Sequence, residues 1–169
     1  MAGLAHYSPE DVTVLLGGVY PVDGFVDGSF ISIQKVAPNF TTKVTADGQV
    51  CRTRVSSDVY SLGLTLASTA SSNKILTTLA ALDLAATDSK FPILIKDSNG
   101  STTFFSPSAW ISEIPSVEFD VEVSNREWRL TCAGGVLIVG GNEGGIIESV
   151  SAEMSGVGFL GLDAAGFIQ

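Results

Sequence analysis

Phe40-Thr41-Thr42-Lys43-Val44-Thr45-Ala46-Asp47-Gly48-Gln49-Val50-Cys51-Arg52-Thr53-Arg54-Val55 reads as two β-prone runs joined by a tight turn. Asp-Gly between such runs is a strong short-range hairpin signal, because glycine supplies the positive φ that the turn needs. The arms carry Thr, Lys and Arg where a core strand would carry Val, Ile or Leu. A polar two-stranded ribbon has no core of its own and is marginal in isolation. It therefore reads as an arm, made to be covered by another subunit. The candidate contact residues are Thr42, Lys43, Thr45, Asp47, Gly48, Gln49, Cys51, Arg52 and Arg54.

Downstream of the arm, Tyr60-Ser61-Leu62-Gly63-Leu64-Thr65-Leu66 alternates with period two, which puts Tyr60 and three leucines on one face. A helix is predicted next: Ser71 or Ser72 can cap it, and Ile75, Leu76, Leu79 and Leu82 form an apolar stripe. Phe91-Pro92 is the expected stop, since the residue before proline disfavours the α region. Upstream, residues 1–10 read as a loose lead-in, followed by strands over 11–16, 19–22 and 30–36 with glycine pairs and Asp-Gly steps between them.

Beyond the helix the pattern returns to β. Residues 91–96 and 101–105 form a hairpin across Asp97-Ser98-Asn99-Gly100, strands 109–114 and 117–123 pair across Pro115-Ser116, and 125–133 carries Trp128, Leu130 and Cys132 on one side. About eight strands and one helix make a mainly β chain. Two segments are expected: a β domain over 1–142 and a Gly-rich apolar extension over 143–169. In the extension Phe159, Leu160, Leu162, Phe167 and Ile168 are expected to dock on a neighbouring subunit.

The 169 residues suit a single core, and 45% apolar with only 16% charged residues points to surface buried against copies or partners. A net charge of −9 opposes phosphate binding, yet it suits a passage through which nucleic acid slides without sticking. No secretory leader or membrane span is legible. Two cysteines make no disulfide framework. Two reduced, partly buried thiols are the ordinary reading, and a bridge between subunits through Cys51 the alternative.

No catalytic, metal or cofactor pattern is found. The single histidine, His6, lies in the lead-in, and no nucleophile elbow, phosphate loop or dinucleotide fingerprint occurs. Glu118, Asp120 and Glu122 alternate with Phe119, Val121 and Val123. On a strand these acids would line one face roughly 6.6 Å apart, a solvated stripe rather than a convergent site.

Taken in order, Ser8-Pro9-Glu10-Asp11-Val12-Thr13-Val14, Phe40 to Gln49 with Arg52 and Arg54, Phe91-Pro92-Ile93-Leu94-Ile95-Lys96-Asp97 and Asn125-Arg126-Glu127-Trp128-Arg129-Leu130 resemble the tail tube proteins of contractile-tailed bacteriophages. The likeness covers about residues 8–142. It implies an antiparallel β-barrel or sandwich with one flanking helix and a projecting hairpin, six copies forming a ring and rings stacking into a hollow tube for genome delivery. It further implies a tail sheath, baseplate and terminator as partners, DNA only as a passenger in the lumen, no cofactor, and a place in the virion after assembly in the bacterial cytoplasm. The acidic stripe would face the lumen or the outer wall. The inner tube of a secretion or other injection machine shares this fold. A monomeric β-sandwich binding module or hydrolase, with the stripe as its site, is the reading from another class.

Overall fold

A computed structural model describes residues 7–141; the C-terminal docking residues expected within 143–169 and the expected domain boundary lie outside them. The described residues form a short 3-10 turn (Pro9–Asp11) and ten strands with one helix. These are β1 Val12–Leu16, β2 Tyr20–Pro21, β3 Ile31–Lys35, β4 Phe40–Val44, β5 Val50–Arg54, β6 Val59–Ala67, α1 Ser72–Ala86, β7 Phe91–Asp97, β8 Thr103–Glu113, β9 Asn125–Ala133 and β10 Val136–Ile138. The main sheet has the order β2-β1-β7-β8-β9-β6-β3, with β10 beside β8, while β4 and β5 make a sheet of their own.

No pairing joins β2 to β3 among these residues, so the sheet is open and the expected barrel is not closed. The residues at the ends explain this. β2 is two residues long and ends on Pro21, which has no N–H to extend a ladder. β3 pairs with β6 alone, Ile31 against Leu64 through Lys35 against Tyr60.

Among the described residues the chain divides into two compact units, residues 14–94 with 104–136, and residues 7–13 with 95–103 and 137–141. The larger holds the long antiparallel ladder of β6 on β9, which sets Tyr60 opposite Cys132, Leu62 opposite Leu130 and Leu64 opposite Trp128. All six side chains are buried, as the alternation required. Gly135 lies where a Cβ would stand 2.7 Å from the Tyr60 ring, so only glycine lets the chain close over the Tyr60–Phe104 aromatic pair, whose centroids are 5.3 Å apart. In the smaller unit, the Ser98 N–H donates to the Asp11 carbonyl at 2.9 Å and the Ser101 N–H to the Gly141 carbonyl at 3.1 Å.

The helix departs from its sequence reading at three points. Ser71 already has helical angles and makes no capping bond. Instead the hydroxyls of Ser71 and Ser72 donate to the Asp23 carboxylate at 3.2 and 2.7 Å, and Ser72 accepts from the Asp23 N–H at 2.9 Å. The buried seam runs along Ser72, Leu76 and Ala80, an i, i+4 line, and Leu82 is exposed. The helix ends at Ala86, well before Phe91, because Thr87 turns left-handed at φ 54° and its N–H returns to the Asp83 carbonyl. Trp128 Nε1 donates to Asn73 Oδ1 at 2.8 Å and ties helix to sheet.

Two strand expectations also change. Residues 103–113 run as a single strand through Pro107, where two had been expected, since the Ser106 hydroxyl donates to the Ala133 carbonyl and holds β8 against β9. Residues 117–123 form no strand and join no sheet among the described residues.

A candidate assembly surface

The β4–β5 ribbon is built as the sequence indicated. Its register sets Phe40 opposite Arg54, Thr42 opposite Arg52 and Val44 opposite Val50. The Gly48 N–H reaches the Thr45 carbonyl at 2.9 Å, the Thr45 N–H reaches Gln49 at 2.9 Å, and Gly48 takes φ 78°. This is a turn followed by a left-handed glycine, one of the common hairpin closures. At the base, the Val55 N–H donates to the Asn39 carbonyl.

All ten strand residues of the ribbon are exposed, as are the turn residues Thr45, Asp47, Gly48 and Gln49. Alternation gives the ribbon two unlike faces. One carries Phe40, Thr42, Val44, Val50, Arg52 and Arg54; the other carries Thr41, Lys43, Cys51 and Thr53. On the first face the Arg52 guanidinium lies 3.5 Å from the centre of the Phe40 ring, an attraction of charge to the ring's negative face. The ribbon thus carries one exposed face that is both apolar and cationic.

Glu118, Asp120 and Glu122 sit elsewhere, on the loop between β8 and β9. The reason they line no strand face is local. The Glu118 carbonyl accepts from Ser124 Oγ and from Arg126 Nη2, both at 3.2 Å, and the Ser124 carbonyl accepts from Ser68. These bonds close the segment into a loop at its base. The tip projects Phe119 at 94% exposure and Val121 at 101%, with the three acids exposed around them. Exposed apolar side chains of this size, side by side, are uncommon on a free surface. Sequence reading singled out the acids and missed the apolar residues between them; the same alternation held both.

The two thiols differ sharply. Cys51 is exposed on the ribbon and Cys132 buried under the sheet, where burial pushes its thiol from the ordinary 9.0 up to about 12. Among the described residues no three His, Cys, Asp or Glu side chains converge to hold a metal, and no helix is long and apolar enough to cross a membrane.

No family model matches the chain. The structural protein ORF10 of Pseudomonas phage KPP10 is 31% identical over 151 residues, covering 85% of this chain and 87% of that protein. Among solved structures, the sheath/tube terminator of the extracellular contractile injection system PVC, in the extended state, gives a TM-score of 0.56 at 11% identity, over 82% of this chain and 100% of that one. The sheath-tube complex of the same kind of system gives 0.55 at 13% identity, over 78% of this chain and 90% of that one. The tube-terminating cap of the anti-feeding prophage gives 0.52 at 14% identity, over 82% and 95%. At these identities the likeness is one of fold.

Proposed function

The chain belongs to the family of the structural protein ORF10 of Pseudomonas phage KPP10, and we propose that it is a tube-type subunit of a contractile phage tail. Six copies join into a ring, rings stack into a hollow tube inside the sheath, and the genome passes through the lumen. The work is polymerisation rather than catalysis, carried out in the virion with sheath, baseplate and terminator as partners. The inner tube of an injection machine would use the chain in the same way.

The observation that carries this reading is the β4–β5 ribbon, a hydrogen-bonded sheet with none of its strand residues buried. A folded domain gains little by ordering such a ribbon unless a neighbour covers it. The open end of the main sheet at β3 supports ring formation, since an edge strand presents unpaired N–H and C=O groups that a second sheet can satisfy.

A second reading, a terminator that closes the tube, is favoured by the fold likeness to two tube terminators. Negative-stain imaging of the purified full-length protein over a range of concentrations separates the two. Long tubes of variable length identify a tube subunit, and single rings or stacks of fixed height a terminator. Monomers at every concentration would overturn both. Removing residues 45–51 should leave rings or monomers but no tubes.

A further inference from the structure

Resting on that reading of stacked copies, we propose that the loop 117–123 is the surface on which the β4–β5 ribbon of another copy of this chain docks. The loop places Phe119 and Val121 fully in solvent, with Val117 and Val123 also exposed beside them. A free chain holds these groups in water at a cost that burial against a partner would recover.

Charge selects the occupant. The chain has nine basic residues against eighteen acidic ones, and most protein surfaces it could offer to a copy of itself are therefore repulsive toward three clustered acids. The ribbon is the exception. It concentrates Lys43, Arg52 and Arg54 in sixteen residues with Asp47 as its lone acid. The same ribbon face that carries Arg52 and Arg54 carries Phe40, Val44 and Val50, all three well exposed. Apolar groups interleaved with cations on the ribbon thus answer apolar groups interleaved with anions on the loop, which is the arrangement that sets register as well as attraction. The loop is also pre-shaped. Its base is fixed by the bonds from Ser124 and the buried Arg126 to the Glu118 carbonyl, so docking need not order it first. Glu118, Asp120 and Glu122 then belong to a seam between copies rather than to a bare wall.

The test uses the full chain under conditions where the unaltered protein assembles. Reversing the ribbon face (Arg52→Glu, Arg54→Glu) or the loop (Glu118→Lys, Asp120→Lys, Glu122→Lys) should each lower the assembled fraction at least about tenfold, and combining both sets should restore it. Phe119→Ser with Val121→Ser should weaken assembly with the melting temperature unchanged, since both side chains are already in water. With Arg52→Lys copies, whose residue 52 keeps the charge on the docking face, carbodiimide coupling of mixed isotope-labelled chains should join residue 52 of one copy to a loop carboxylate of another. A combined variant as defective as its parents, or residue 52 of the Arg52→Lys copies coupled only to other carboxylates, overturns the inference while tubes of the unaltered protein leave the ring reading standing. Failure of the unaltered protein to assemble overturns the ring reading itself.

Discussion

The β6–β9 ladder and the β4–β5 ribbon are both antiparallel pairs with regular register, yet they are held by different things. In β6 and β9 every second residue is buried: Tyr60, Leu62, Leu64 and Leu66 on one strand, and Arg126, Trp128, Leu130 and Cys132 on the other. In β4 and β5 no residue is. Backbone hydrogen bonds are common to both and contribute little net, because water offers the same bonds to the unfolded chain. The difference is apolar area, which stabilises by about 25 cal/mol per Å² removed from water. The ladder is therefore stable by what it buries within the chain. The ribbon is shaped by its turn and buries none of its strand residues within the chain.

The strongest way to break the contrast is at Trp128, which is 2% exposed and gives its Nε1–H to Asn73. Trp128→Ala should lose about 3–5 kcal/mol by chemical denaturation and leave Asn73 short of a donor. A loss under about 1 kcal/mol would mean that the ladder is not the anchor of the fold. A gentler change lies in the ribbon turn. Gly48→Ala forces a Cβ into φ 78° and should cost about 1 kcal/mol locally. Amide exchange in 40–54 should quicken while the global unfolding midpoint stays within error, and a shifted midpoint would couple the ribbon to the core.

The cysteines sharpen the comparison without disturbing it. At pH 8 a maleimide should label Cys51 at once and Cys132 only after unfolding; equal rates would contradict the burial of β9. The folded-state value of Cys132 is raised, so the neutral thiol is the form that the native state favours. Its contribution is complete below about pH 9 and is lost as pH rises toward about 12. Denaturation midpoints of Cys132→Ser and the unaltered chain should therefore converge across that window.

The ribbon, its Asp-Gly turn and the inward face of β6 and β9 were legible because each is decided by neighbours in sequence: a turn residue with a special φ, and a period of two. What was not legible depended on distant or missing partners. The Ser71 and Ser72 hydroxyls were committed to Asp23, forty-odd residues upstream, which no capping pattern encodes. The strand runs on past Pro107, held by the Ser106–Ala133 bond and by the pairing of Ser108 to Ile111 with β9, contacts with a partner far away in sequence. Residues 117–123 have a sound strand pattern and, among the described residues, no strand beside them, since period two reports what a segment is able to pair with and not whether a partner exists. The acids of the candidate surface were thus found and placed on the wrong element. Their apolar companions were passed over.

The loop 118–124 is fastened through main-chain oxygen atoms, those of Glu118 and Ser124, with Arg126, Ser124 and Ser68 as donors. None of these bonds uses a side chain from residues 119 to 123. Any residue with ordinary backbone preferences can therefore occupy the tip without loosening its mount. The shape of the base is thus independent of the sequence carried at the tip, and the two can be altered separately.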